Sequence, residues 1–198
     1  MSTITKLSMS MLNLHRGLRS ASLSVCVLLL MTGCSVFSPS ERPAEMVLLQ
    51  PADGPLPVLL TQRVSLNKWG QQQQFIAIGR FTYQQTKLVA LLPTGQQLLY
   101  LEFDGEELTQ RTAPSVELPG KEILALIQFA LWSDEALHNS YRPEQGWALE
   151  LTDRRRQLLY NDKVLLDVLY AKQQVIIDNQ LKGYQVMIET LEQKDLTP

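Results

Sequence analysis

Reactive side chains are scarce in this sequence of 198 residues. It contains two cysteines and two histidines, and Cys26, Cys34 and His15 all fall within the first 34 positions. No group of cysteines and histidines has the spacing of a zinc site. No serine lies in a nucleophile-elbow pattern, and no glycine-rich phosphate loop is present. These absences predict a protein with no metal, no cofactor and no enzymatic activity.

His138 is the histidine that remains in the later part of the chain. Next to Asn139, it is interpreted as a surface or capping residue. One alternative stays open, because carboxylates can come together in the folded protein without any local motif. A lipid-modifying enzyme would need such a carboxylate, or His138, to face an apolar cavity.

The N-terminus carries a basic segment followed by an apolar run. Lys6, Arg16 and Arg19 precede residues 23–31, and no Asp or Glu occurs before Cys34. The run is too short to span a bilayer, which takes about 20 residues, so a transmembrane anchor is the weaker interpretation. This layout predicts a secretory signal peptide over residues 1–33.

Two small residues, Thr32 and Gly33, stand directly before Cys34. The stretch resembles the bacterial lipobox, with Met31 in place of the usual leucine. The resemblance implies cleavage between Gly33 and Cys34, diacylglycerol on the Cys34 sulfur and an acylated amine. More than one acyl chain gives stable anchoring. Lipoproteins that stay at the inner membrane of Gram-negative bacteria carry Asp at the position of Ser35, so the resemblance implies the periplasmic face of the outer membrane. The alternative interpretation of Cys34 is an ordinary free cysteine.

The remaining chain is acidic and rich in proline at its start. The 18 Lys and Arg fall to 15 without the signal peptide, against 20 Asp and Glu, which argues against nucleic acid as a partner. Residues 34–57 hold half of the prolines and are predicted to be a tether, on which residues 46–49 can dock. Residues 58–192 form one predicted domain, and residues 193–198 a frayed tail.

The only basic run, residues 154–156, is interpreted as a solvated turn or strand edge, with a phosphate site as the alternative.

The hydrophobic pattern predicts two sets of antiparallel strands around a helical segment. The helix over residues 121–132 is apolar nearly all round and is therefore predicted to be buried. A second short helix is predicted to start after Ser133 as N-cap and to end before Pro143. The predicted strands cover residues 58–69, 73–83, 87–92, 97–103, 107–111, 146–152, 156–160, 163–170, 174–178 and 184–191.

Several predicted strands are apolar on both faces, for example residues 88–92 and 164–169. An antiparallel sheet with one solvated face should alternate between apolar and polar residues. Two interpretations stay open. Either both faces are covered by helix, loops or a partner, or the sheet curves around an apolar cavity that the helix closes.

The chain resembles a family of uncharacterised Gram-negative outer-membrane lipoproteins that are similar in fold to the lipoprotein localisation factors LolA and LolB. The stretches that carry the resemblance are residues 78–83, 91–98, 103–105, 123–132 and 147–189. The resemblance implies an α+β fold, mainly antiparallel β, in which a strongly curved half-barrel is closed on its concave face by one or two helices. It implies binding of an acyl chain, a lipoprotein lipid or an aryl-polyene-type lipid, with a periplasmic carrier protein as a further partner.

The candidate site follows from this resemblance and from the two-faced strands. The predicted cavity residues are Phe75, Phe81, Leu91, Leu99, Leu124, Ile127, Leu131, Trp147 and Ile188. Pro93, Thr94 and Gly95 match a hairpin that protrudes in the lipoprotein receptor LolB, where an apolar leucine stands in place of Thr94. The leading hypothesis is an outer-membrane-anchored lipoprotein that binds and transfers an apolar ligand. The alternative is a non-catalytic lipoprotein that scaffolds partners at the inner face of the outer membrane.

Overall fold

The computed structural model describes residues 45–114 and 116–197. They belong to one compact unit, Ala44–Pro198. The predicted signal peptide, the cleavage between Gly33 and Cys34, the lipidation of Cys34 and the tether before residue 45 lie outside the described residues. Within the described part of the chain, no helix is long and apolar enough to cross a membrane.

Ten antiparallel strands form one sheet in this unit. The strands are β1 Val58–Lys68, β2 Gln71–Phe81, β3 Thr86–Leu91, β4 Gln97–Phe103, β5 Leu108–Thr112, β6 Trp147–Thr152, β7 Arg155–Tyr160, β8 Lys163–Tyr170, β9 Gln174–Asn179 and β10 Tyr184–Asp195. Their order across the sheet is β5-β4-β3-β2-β1-β10-β9-β8-β7-β6. Two five-strand meanders are therefore joined along β1 and β10, the two central strands.

Two α-helices connect the meanders. Helix α1 spans Gly120–Leu131, and helix α2 spans Asp134–Ser140. The Ser133 hydroxyl accepts a hydrogen bond from the Ala136 N–H, as the predicted N-cap requires. Short 3-10 turns at Pro51–Asp53 and Pro143–Gln145 complete the elements of the described chain.

The sheet curves around α1. At the C-terminal end of this helix, the Trp132 ring contacts Phe81 of β2, with ring centroids 6.0 Å apart. The Trp132 carbonyl accepts a hydrogen bond of 2.8 Å from Arg156 of β7. These strands are five positions apart and would be separated by about 24 Å in a flat sheet. The prediction of an α+β, mainly antiparallel, curved and open half-barrel with two helices is confirmed.

The strands predicted from the pattern all occur, with small differences at their ends. The largest difference is at the C-terminus, where the predicted frayed tail over residues 193–198 is wrong for residues 193–195. They continue β10, and Asp195 pairs with Val58. Pairing with the long strand β1 supplies the hydrogen bonds that an isolated tail would lack. The prediction rested on polarity alone and did not take the length of β1 into account.

Two clusters of buried apolar side chains lie between the helices and the sheet. The first contains a row of aromatic rings, in the order Phe129, Tyr141, Trp147 and Tyr160. The centroids of successive rings are 4.8–5.9 Å apart. The second lies under β2, β3 and β4 and contains Leu124 of α1. Helix α1 contributes to both clusters because it is apolar on nearly every side.

Residues 45–50 lie along α1 and are held by side chains of the helical region. The fully buried Gln128 accepts a hydrogen bond of 2.8 Å from the Leu49 N–H and donates one of 2.7 Å to the Leu49 carbonyl. Trp132 donates its indole N–H to the Gln50 carbonyl at 2.9 Å. The second part of the predicted tether is thus packed on the domain, as its apolar residues 46–49 suggested.

The three arginines of the basic run at residues 154–156 lie in different environments, and Arg154 is exposed. Arg155 makes a two-pronged ion pair with Asp167, at 2.8 and 2.6 Å. Arg156 reaches the C-terminal end of α1, where it donates to the carbonyls of Phe129, Ala130 and Trp132. Because the last carbonyls of a helix lack partners within the helix, Arg156 serves as its C-terminal cap. Two of the three guanidinium groups are therefore occupied within the protein, which disfavours the phosphate site.

Candidate functional site

A row of partly buried apolar side chains crosses the middle of the sheet on the face that carries α1. Val64 of β1 pairs with Phe75 of β2 on one side and with Ile188 of β10 on the other. Ile188 pairs in turn with Val175 of β9. Alternation along β2 places Phe75 on the same face as the buried Ala77. We call Val64, Phe75, Ile188 and Val175 the sheet row.

Helix α1 presents a matching stripe. Ile123, Ile127 and Leu131 follow each other at four-residue spacing, lie on one side of the helix and are partly buried. Ile127 packs against both buried clusters, so the stripe lies where the two clusters meet. The sheet row and this helix stripe together form the candidate apolar site.

Polar groups are found near one end of the site. The Tyr184 hydroxyl donates to the Glu122 carboxylate at 2.8 Å and accepts from the Asn179 amide at 3.0 Å. Burial, and then the hydrogen bond to Glu122 and its negative charge, raise the pKa of Tyr184 above its ordinary value. The phenol is therefore neutral across the physiological range and holds its proton towards Glu122. A mostly apolar lining with few fixed polar groups is typical of sites for apolar ligands.

The nine predicted cavity residues do not form one group. Phe81 and Trp147 are buried in the first cluster, and Leu99 and Leu124 are buried in the second. Each is at most 6% exposed. These four side chains pack as core residues against their neighbours, and the structure separates them into two sets.

Leu91 is the predicted residue that the structure places elsewhere. It pairs with Ile76 of β2, one position away from Ala77, which faces α1. Since successive side chains of a strand point to opposite faces, Leu91 lies on the outer face of the sheet. Its inclusion in the cavity was wrong, because residues 88–92 are apolar on both faces and offer no alternation from which a face can be assigned.

The other four predicted residues, Phe75, Ile127, Leu131 and Ile188, belong to the candidate apolar site. Sequence reasoning missed Ile123, although its four-residue spacing from Ile127 places it on the same side of the helix. On the sheet it missed Val64 and Val175. The signal that would have found them is alternation along β9 and β10 combined with the pairing of β10 to β1. That pairing joins residues more than a hundred positions apart and is not visible in any local pattern.

The predicted protruding hairpin lies between β3 and β4. Pro93, Thr94 and Gly95 are exposed, and the Gly95 N–H donates to the Leu92 carbonyl at 2.8 Å. Gly95 has a φ of 88°, which favours glycine because other residues are strained there. The tip of this hairpin therefore carries Thr94 where the resemblance expects a leucine, and no large apolar side chain.

The candidates for other chemistry are dispersed. His138 lies exposed on α2, within the last turn of the helix. Among residues 45–114 and 116–197, no three His, Cys, Asp or Glu side chains are grouped so that they could hold a metal ion. The candidate apolar site thus remains the arrangement with the clearest potential to bind a ligand.

Comparisons with known proteins identify a family and little more. The model of a family described as "Protein of unknown function (DUF3261)" matches residues 59–192. No curated protein matches the chain by sequence. The prediction of membership in an uncharacterised family is confirmed by the family match.

Two solved structures show distant likeness. One is a putative outer membrane lipoprotein-sorting protein domain from Vibrio parahaemolyticus, with 7% identity and a TM-score of 0.36, covering 72% of this chain and 86% of that chain. The other is a DUF1329 family protein from Desulfovibrio piger, with 9% identity and a TM-score of 0.29, covering 74% and 88%. Likeness at this level supports no statement about function.

Proposed function

We propose a function for this chain from the premise that it belongs to the DUF3261 family: it is an outer-membrane-anchored lipoprotein that binds an apolar ligand. The predicted lipid on Cys34 supplies the anchor at the periplasmic face. The candidate apolar site supplies the ligand site, and the ligand class is an acyl chain or a lipid that carries one. Transfer or insertion of that ligand at the membrane follows as the role of such a protein.

One observation carries the ligand-binding proposal. The sheet row and the stripe on α1 are apolar and only partly buried, although they lie inside the curve of the sheet. A core residue in this position would normally be fully buried, as Leu124 and Phe129 of the same helix are. Partly exposed apolar side chains on two facing elements favour a ligand that covers them.

Titration with a fluorescent fatty acid tests the proposal. The protein is the predicted mature chain, residues 34–198, with Cys34→Ser, which keeps the whole compact unit. We expect saturable binding that Ile127→Gln and Ile188→Gln each weaken by about ten-fold, because each places an amide against the apolar chain.

Ile176→Gln is the matched control, since Ile176 lies on β9 next to Val175 but on the opposite face. It should bind the probe like the parent chain, and circular dichroism should show all variants folded. Binding no stronger than that of an unrelated β-sheet protein contradicts the proposal. Equal loss in the control and in the site variants contradicts it as well.

A second candidate function, a scaffold that holds partner proteins, is favoured by a different surface. Leu169, Ile176 and Met187 are neighbours across β8, β9 and β10 on the outer face. Leu169 and Met187 are exposed, so an apolar patch is present where no element of the described chain covers it. A photo-crosslinker at position 187 in native membranes should capture a defined protein if this function holds. Absence of any defined product there rejects the scaffold.

A further inference from the structure

The tip of the β1–β2 hairpin carries an exposed tryptophan. Trp69 and Gly70 form a two-residue turn between the paired residues Lys68 and Gln71. The φ angles of 52° at Trp69 and 76° at Gly70 are both positive, as a type I′ turn requires. The Trp69 side chain is 84% exposed, the largest value among the exposed large hydrophobic residues.

Neither turn chemistry nor packing accounts for a tryptophan at this position. Type I′ turns prefer Asn or Asp before Gly, and a bulky residue with a positive φ is an outlier. The ring buries little of its surface on the protein, so it gains little hydrophobic free energy from folding. A residue that does not favour folding and yet stands at an exposed tip indicates a role other than stabilising the fold.

The hairpin extends beyond strand β3 on one side and ends level with the β9–β10 turn on the other. Strand β3 pairs with β2 only from Ile76 onward, so residues 71–75 extend past it by about 17 Å. On the other side, β1 pairs with β10 as far as Lys68 and Tyr184, which places the β9–β10 turn beside the tip. That turn carries Leu181, which is 44% exposed. Two apolar side chains therefore lie at one end of the sheet.

The charge around the tip suits an anionic surface. The sequence has no Asp or Glu over residues 54–101, which include both strands of the hairpin. The Lys68 ammonium lies 4.4 Å from the centre of the Trp69 ring. The β4–β5 turn at the opposite end of the sheet carries Asp104, Glu106 and Glu107. An anionic bilayer would attract Lys68 at the tip and repel the acidic β4–β5 turn.

The chain also enters the compact unit near the end that carries Trp69. Glu45, the first described residue, pairs with Lys121 at 2.8 Å. The next residue, Glu122, accepts the hydrogen bond from Tyr184, whose partner across the sheet is Lys68. Residues 34–44 can span at most about 40 Å. A lipid on the predicted Cys34 would thus hold this end of the sheet within reach of the bilayer.

We propose that the Lys68-Trp69-Gly70 tip is a second membrane contact, in which the Trp69 indole enters the interface of an anionic phospholipid bilayer. Tryptophan suits this region because its ring is apolar and its N–H remains hydrated. Lys68 stays at the level of the headgroups. The contact does not depend on a ligand at the candidate apolar site, since the tip lies outside it.

Vesicle binding of the mature chain with Cys34→Ser tests the proposal without the lipid anchor. The vesicles consist of phosphatidylethanolamine and phosphatidylglycerol, and some of these lipids carry brominated acyl chains. The bromine atoms quench the fluorescence of a tryptophan that enters the bilayer. Trp132 and Trp147 are 1% and 6% exposed, so quenching reports on Trp69. We expect a blue shift and quenching on binding, and about ten-fold weaker binding for Trp69→Asn.

Trp69→Asn is a sharp variant because Asn-Gly favours the same turn, so folding should be kept or improved. Lys68→Gln should weaken binding several-fold on anionic vesicles and leave it unchanged on neutral ones. Tyr83→Ser is the matched control, since Tyr83 is 45% exposed in the β2–β3 turn at the opposite end. The proposal is overturned if Trp69 fluorescence is not quenched, or if Trp69→Asn leaves vesicle binding unchanged. A protein partner would then be the remaining explanation for the exposed Trp69.

Discussion

Gln128 makes both hydrogen bonds between α1 and Leu49, and Gln128→Met tests how much they contribute to the attachment of residues 45–50. Methionine has nearly the same length and shape as glutamine but can replace neither hydrogen bond to Leu49. Gln128 is 0% exposed and Leu49 is 1% exposed, so water cannot take over from the lost amide. Each buried backbone group left without a partner costs about 1–3 kcal/mol.

Two such groups are left without a partner, but the variant no longer buries a polar amide, which offsets part of the cost. The free energy of unfolding should therefore fall by about 2–4 kcal/mol. In a domain of this size that corresponds to a decrease in Tm of about 6–12 °C. Urea unfolding followed by circular dichroism gives the midpoint and the slope, and an unchanged slope shows that the compared states are the same. Limited proteolysis within residues 45–57 reports whether the segment detaches locally.

Gln84→Met provides the control, because Gln84 is exposed in the β2–β3 turn. Its unfolding free energy should stay within about 0.5 kcal/mol of the parent chain. If Gln128→Met also changes stability by less than about 1 kcal/mol and leaves the rate of proteolysis unchanged, the two hydrogen bonds do not hold the segment. The attachment of residues 45–50 through Gln128 would then be refuted.

Two further substitutions probe polar groups that are buried or partly buried. Thr86→Val should raise the unfolding free energy by about 1 kcal/mol, and with it the urea midpoint, because the Thr86 hydroxyl is buried without a partner in the described chain. A lower midpoint would reveal a hidden hydrogen bond. Arg156→Met should lower the unfolding free energy by about 2–4 kcal/mol through loss of the cap on α1, whereas the exposed Arg154→Met should stay within about 0.5 kcal/mol. Similar effects of the two arginine variants would show that the cap contributes little.

Local patterns were enough to predict the elements of the fold. Alternation of apolar and polar residues gave the strands, and Asp104-Gly105 and Asn161-Asp162 marked turns between them. The run over residues 121–132 gave a buried helix because no side of it is polar. Such features depend on neighbours within a few positions along the chain, and these are visible in the sequence.

The membership of the candidate site was decided by tertiary structure. The sheet row requires β1 to lie between β2 and β10, and Leu91 was misplaced because a strand that is apolar on both faces does not reveal which face is inside. Arg156 and Gln128 looked like ordinary polar residues, yet both satisfy backbone groups far away in sequence.

By itself, the sequence determined the order of strands and helices and predicted an N-terminal lipid anchor. The curve of the sheet around α1, the division of the predicted cavity residues into core and site, and the position of Trp69 at a projecting tip were decided only in three dimensions. The physical reason is that burial and exposure depend on contacts between distant segments, which the chain makes only when it folds.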